Sequence, residues 1–292
     1  MNPRESGKRR EGPTSSPAGA AEPASPGRRR SAPSGGSEAH AVASVGAPAP
    51  WLYPRWIAHR GAGKLAPENT LAAFRLGASH GYRMFECDVK LSADGVPFLL
   101  HDATLDRTTS GHGVAGQQSW ETLSALDAGS WHSAAFAGEP LPSLEAVARY
   151  CLAHGYLLNI EIKPTPGAEA VTGAAVADAA ARLWPPTAVP PLLTSFSPEA
   201  LEAAQAAQPQ LPRGLLLEGL WAGWLETGLR LGCVAIVCKH TLWDSASVLQ
   251  ARSAGFRALS YTVNDAAEAR RLLDLGTDGV ITDRVDLFTP ER

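Results

Sequence analysis

The chain has 292 residues, 45% of them hydrophobic, and a formal net charge of −3. That supplies enough apolar material for one large domain and too little positive charge for a polyanion binder, so no nucleic-acid partner is expected. No stretch is long and apolar enough to span a bilayer, which excludes a stable membrane anchor of that kind.

Residues 1–50 stand apart. They are rich in Pro, Gly, Ser, Ala and Arg and carry almost no large apolar residue. Such a segment cannot bury enough surface to offset its ordering entropy, so a disordered tail is expected, followed by one domain over residues 51–292. The Arg9-Arg10 pair is not followed by the apolar core of an export signal. Cys87, Cys151, Cys233 and Cys238 form no CxxC pair and lie in or beside apolar stretches. Buried thiols of a reducing, cytoplasmic compartment have that pattern.

From Tyr53 onward apolar runs alternate with amphipathic stretches. The first run ends in Ile57-Ala58-His59-Arg60-Gly61. A glycine-bearing loop then leads to Asn69 and Thr70, either of which suits the cap of a helix over 71–79. Further strands are predicted over 83–88, 157–162, 192–195, 213–217, 234–238, 257–262 and 279–282. Helical patterns rich in Ala and Leu lie between them, as over 144–154, 168–184, 198–207, 245–254 and 265–275. Strand–helix alternation implies right-handed crossovers and a parallel sheet. Eight strands fit a (β/α)8 TIM barrel better than an open doubly wound sheet, because polar residues end strands all along the chain.

One interval breaks the rhythm. Between the second strand and its helix lies an insertion of about fifty residues, 91–142. It opens with Ser92-Ala93-Asp94-Gly95, a turn signal, and Val96 to Leu100 reads as a strand folding back beside the second one. That return carries His101 to the level of Glu86 and Asp88. The remainder, rich in Gly, Ser, Thr and Trp, is expected to sit over the barrel mouth. Trp120, Trp131 and Phe136 line a lid there or form the insertion's own core.

Alternation along a strand puts Glu86 and Asp88 on one face and Cys87 on the other. Glu161 and Lys163 share a face of the next strand. Three converging carboxylates repel one another unless compensated, and a hard divalent cation, Mg2+ first, is the compensation expected. The alternative is an ion-pair network with Lys163 and Arg60. His59 and His101 at the same mouth suit a paired general base and acid, and Arg60 and Lys163 suit an anionic phosphoester. Tyr261 is placed to pack against the carbon skeleton of a small substrate, or to be a core aromatic. Lys239 and Trp243 are candidates for the pocket wall. No Gly-x-Ser-x-Gly elbow marks a serine nucleophile.

These residues resemble the glycerophosphodiester phosphodiesterase family. The resemblance rests on Ile57-Ala58-His59-Arg60-Gly61 with Ala66-Pro67-Glu68-Asn69-Thr70, on Phe85-Glu86-Cys87-Asp88-Val89, on Leu100-His101-Asp102 and on Ile160-Glu161-Ile162-Lys163-Pro164. The insertion resembles that of the bacterial cytoplasmic branch associated with the glycerol-3-phosphate uptake system. The resemblance implies a TIM barrel and the metal-dependent hydrolysis of glycerophosphodiesters to glycerol 3-phosphate and an alcohol. It implies His59 as base, His101 as acid, and Glu86, Asp88 and Glu161 as metal ligands, with Mg2+, Ca2+ or Mn2+ as the ion. The substrate is then a small molecule such as glycerophosphocholine. A lipid-directed phosphodiesterase would need an apolar rim that the sequence does not clearly display. A non-catalytic phosphometabolite-binding barrel would have lost a histidine or a carboxylate, and none is missing.

Overall fold

Trp56–Ala58 forms β1, a strand of three residues that ends where His59 begins. The computed structural model describes residues 50–288 and residue 290; apart from Pro50, the tail expected over 1–50 lies outside them. The remaining strands are β2 (Met84–Leu91), β3 (Pro97–Leu99), β4 (Leu157–Ile162), β5 (Leu192–Ser195), β6 (Arg213–Leu217), β7 (Ala235–Lys239), β8 (Arg257–Tyr261) and β9 (Gly279–Thr282). The helices are α1 (Leu71–Ser79), α2 (Trp120–Ser124), α3 (Leu144–His154), α4 (Glu169–Leu183), α5 (Pro198–Ala207), α6 (Trp224–Arg230), α7 (Ser245–Ser253) and α8 (Ala266–Asp274).

The strands follow the order β1-β9-β8-β7-β6-β5-β4-β2-β3, and Ala58 pairs in parallel with Phe85 to join β1 to β2. Eight parallel strands therefore close a TIM barrel, as the strand count predicts. The short antiparallel β3 pairs Leu99 with Val89 and Pro97 with Leu91. Strand β2 runs to Leu91, three residues past its predicted end at Asp88, because the hairpin pairs with its last turn of ladder. The amide of Leu100 donates to the Asp88 carbonyl at 3.0 Å, so the chain does return to the level of the acidic pair.

Inward side chains fill the lower barrel with Tyr53, Ile57, Met84, Leu192, Leu216, Val237, Leu259 and Ile281. Each fully buried aliphatic chain of this kind is worth roughly 1.5–3 kcal/mol relative to exposure. Outward side chains, Cys87, Ile160 and Ile162 among them, pack under the helices. The insertion has a core of its own from Phe98, Leu100, Leu105, Leu123 and Leu141, with Trp120 packed on it. Trp131 stays exposed, and Phe136 packs on the barrel instead. Trp243 is buried in the core beneath the helices, its indole donating to the Leu259 carbonyl at 2.8 Å, and it does not line the mouth cleft.

Candidate active site

The β1–α1 loop carries the first groups. Arg60 adopts φ +50 and Asn69 φ +61, both in the left-handed region that most residues avoid. The Arg60 turn points its backbone amide at Glu86 Oε2, 3.0 Å away. Thr70, not Asn69, caps α1 by accepting from Ala73 N. Asn69 is thereby free to clamp Asp88: its amide donates to Asp88 Oδ2 at 2.8 Å and its carbonyl accepts from Asp88 N at 3.1 Å. Gly63 is required here, since a Cβ would lie 2.1 Å from the Asp283 carbonyl oxygen.

That close approach sets up His59. Its Nδ1 lies 2.6 Å from Asp283 Oδ1, and its Nε2 3.8 Å from Glu86 Oε2. An ionised carboxylate can only accept, so Nδ1 carries the hydrogen and Nε2 of the neutral ring keeps the lone pair. Burial pulls the Asp283 carboxyl up, but the hydrogen bonds of His59 and of the Asn264 amide, with the charge of Arg60, outweigh it and hold it below the usual range. His101 is held the same way, its Nδ1 2.8 Å from Asp102 Oδ1. Burial lowers its pKa, and the charges of Arg60 and Lys163 act in the same direction.

The carboxylates meet through sheet register. Asp88 of β2 stands opposite Glu161 of β4. One oxygen from each of Glu86, Asp88 and Glu161 falls within 4.8 Å of the others. Burial, with the charges of Asp88 and Glu161, pushes the Glu86 carboxyl well above the usual carboxylate range. Burial and Asp88 push Glu161 up to about 7. Asp88 goes the other way: the charges of Arg60, Lys163 and His101 overcome its burial and hold it well below the usual range. Glu86 Oε1 and Asp88 Oδ1 are buried without a hydrogen-bond partner among the described residues, although Lys163 Nζ stands 3.5 Å from the latter. Clustered, partly orphaned carboxylate oxygens are a donor set that fits a hard divalent cation.

Lys163 Nζ donates to Glu161 Oε1 at 2.7 Å and lies 5.7 Å above the Phe196 ring. Arg60 Nη1 donates to Glu68 at 2.8 Å, and its Nε is 3.2 Å from Asp88. Tyr261 bonds the Leu217 carbonyl through its hydroxyl and meets Phe196 edge-on. Tyr261 and Phe196, together with His59, Glu86, Asn159, Glu161 and Thr194, line a narrow cleft at the mouth. Larger hollows of about 350 and 310 Å³ lie beside the hairpin and beneath the barrel, but neither gathers carboxylates and histidines.

All eight site residues expected from the sequence, His59, Arg60, Glu86, Asp88, His101, Glu161, Lys163 and Tyr261, thus stand at one end of the barrel. Sequence reasoning passed over Asp283, Asn69, Glu68, Asp102, Arg107, Phe196 and the buried Lys90, whose Nζ donates to the Lys163 carbonyl. Asp283 had a signal, since it follows the last strand and barrel closure puts that strand beside β1.

A parallel barrel with histidines, cations and acids at the carboxyl ends of its strands is the architecture of an α/β-barrel enzyme. Residues 59–287 match the glycerophosphoryl diester phosphodiesterase family, and the chain belongs to it. The Caldanaerobacter subterraneus glycerophosphodiester phosphodiesterase is 32% identical over 234 residues, 78% of this chain and 93% of that one. The structure of an Oleispira antarctica phosphodiesterase with the product sn-glycerol-3-phosphate has a TM-score of 0.75 at 36% identity, covering 79% of this chain and 93% of that one. That of an Agrobacterium tumefaciens glycerophosphodiester phosphodiesterase has a TM-score of 0.69 at 30% identity, covering 81% and 99%. The chain is a glycerophosphodiester phosphodiesterase by class.

Proposed function

We propose that the enzyme hydrolyses small glycerophosphodiesters, such as glycerophosphocholine or glycerophosphoethanolamine, to glycerol 3-phosphate and an alcohol in the cytoplasm, with Mg2+ held by Glu86, Asp88 and Glu161. The observation that carries the metal is the pair of buried, partnerless oxygens on Glu86 and Asp88 within the carboxylate cluster. When bound, the cation would offset the charge that builds on the phosphoryl oxygens. Arg60 and Lys163 bind and orient the anionic phosphate. His59, its hydrogen fixed on Nδ1 by Asp283, takes a proton at Nε2 from water or from a glycerol hydroxyl. His101 gives its Nε2 proton to the oxygen of the departing alcohol as the P–O bond breaks. The substrate's own negative charge counters Arg60 and Lys163 and favours the protonated form of His101. Tyr261 and Phe196 wall the glycerol end. The product in the Oleispira antarctica structure accords with this outcome, and the four free cysteines accord with a reducing compartment.

The test is direct. Glycerophosphocholine with Mg2+ should yield glycerol 3-phosphate, and a chelator should abolish the yield. Full turnover in chelator would remove the metal from the reading. His101→Ala should lose about 10²–10⁴-fold on glycerophosphocholine. It should lose much less on a nitrophenyl ester of glycerol phosphate, whose leaving group departs as an anion, whereas His59→Ala should lose alike on both.

One observation favours a second substrate class. Leu65, Phe196, Leu220 and Trp221 are exposed and follow the carboxyl ends of β1, β5 and β6, on the mouth side, and the exposed Trp131 of the insertion stands against Arg107. A single-chain lysophospholipid could lay its acyl chain there. Hydrolysis of lysophosphatidylcholine at a rate matching glycerophosphocholine would establish that reading; no hydrolysis would discard it.

A further inference from the structure

Arg107 lies in the insertion, outside any strand or helix. Two carboxylates meet in its guanidinium. Its Nε and Nη2 donate to Asp102 at 2.6 and 3.1 Å. Its Nη1 and Nη2 donate to Glu68, both at 2.8 Å. Each carboxylate is gripped by two prongs, and each has one more partner in the site. Asp102 Oδ1 bonds His101 Nδ1, and Glu68 Oε1 accepts from Arg60 Nη1. A continuous run therefore joins Arg60, Glu68, Arg107, Asp102 and His101, crossing from the β1–α1 loop to the insertion.

The run matters because His101 has left the sheet. The last ladder bond before it is that of Leu100, and among the described residues the imidazole's one hydrogen bond is to Asp102. We infer that Arg107 is a positioning residue, fixing His101 and Arg60 relative to one another above the carboxylate cluster; this rests on the acid role given to His101. A stabilising role for the fold is the weaker account. The Arg107 side chain is 44% exposed, and ion pairs that open to solvent contribute little to stability. What a guanidinium offers that an ammonium does not is direction: planar, forked and able to orient two carboxylates at once. The Trp131 ring, 6.0 Å from the Arg107 guanidinium carbon, backs it on another side.

The experiment compares Arg107→Ala, Arg107→Lys and Asp102→Ala in the full chain, on glycerophosphocholine and on the nitrophenyl ester, with melting curves alongside. Arg107→Ala should lower kcat on glycerophosphocholine about tenfold to a hundredfold, the usual cost of removing a group that orients an active-site side chain. The loss on the nitrophenyl ester should be smaller. Asp102→Ala, which leaves the Glu68 grip in place, should reproduce that preference. Arg107→Lys should not restore the wild-type ratio of the two substrates. In a His101→Ala background, Arg107→Ala should add little on glycerophosphocholine beyond what it costs on the ester. Equal losses on both substrates, or a loss that adds in full to that of His101→Ala, would overturn the inference. The two readings separate cleanly. If His101→Ala shows no leaving-group preference, the acid role falls and the inference with it. If His101→Ala shows the preference and neither Arg107→Ala nor Asp102→Ala does, only the positioning role is wrong.

Discussion

Met84, Glu86, Asp88 and Lys90 occupy one face of a single strand, and along it the barrel changes character. Met84 sits in an apolar plug with Ile57, Leu192, Leu216, Leu259 and Ile281. One and two steps further on, the same face carries two carboxylates, both almost wholly buried. The lower half of the barrel is satisfied without any ligand. The upper half is not: Glu86 and Glu161 hold their protons well above the usual range because the described residues around them do not compensate them fully. Asp88 differs from both, since Arg60, Lys163, His101 and Asn69 more than compensate its burial. The contrast teaches that stability and activity are written on the same strands at different heights, and that not every acid in the cluster is strained.

Substitutions should divide along that line. The largest effect is expected from Glu86→Gln, which should lower turnover roughly a thousandfold if the cation supplies several kcal/mol of transition-state stabilisation. Its metal-free melting temperature should stay level or rise, because a strained acid has been removed. Asp88→Asn should lose comparable activity but melt lower, having given up its pairing with Arg60 and Lys163. Calorimetry of the chelated proteins checks the pair, and identical shifts would erase the distinction. In the plug, Leu259→Ala should cost about 2–5 kcal/mol of stability by urea titration while leaving kcat nearly intact.

The pH dependence sharpens the contrast further. Folded Glu161 titrates at about 7 against an ordinary 4.5, so the folded state binds a proton that the unfolded state has lost across that window. Stability of the chelated enzyme should therefore fall as pH rises from 4.5 to 7, by several degrees of melting temperature, and Glu86 adds in the same direction. Saturating Mg2+ should flatten the slope; a flat profile in chelator would mean the cluster is not strained. The smallest effect is expected at the rim. Phe196→Ala removes a ring that faces both Lys163 and Tyr261 and should raise KM for glycerophosphocholine several-fold with kcat little changed.

Period-two alternation placed Glu86, Asp88, Glu161 and Lys163 on inward faces, and a single Asp-Gly turn was enough to return His101 to their level. These features are local, so the chain declares them. The groups that orient the catalytic candidates are not local. Asp283 is 224 residues from His59, and Glu68 is 39 from Arg107. No periodicity connects such partners, and the insertion that supplies Arg107 has no regular pattern to read. Asn69 was hidden differently: its type suits a helix cap, and only its positive φ reveals that Thr70 has that task. The α6 helix also escaped notice, being seven residues long and opened by Gly223 without a side-chain cap.

The bond between His59 and Asp283 has a consequence for the timing of synthesis. The proposed base is made near the start of the barrel and its partner after the final strand, so a ribosome must pass Asp283 before any nascent chain can orient that imidazole. A chain cut before β9 would keep every residue of the carboxylate cluster and still lack both the closing strand and the group that sets the tautomer of His59. Such fragments should be inert even when mixed with Mg2+, and activity in a coupled translation assay should appear only with products that extend past Asp283. The phosphodiesterase would then have no competent precursor that stops short of Asp283: the group that sets its proposed base is among the last of the barrel to be made.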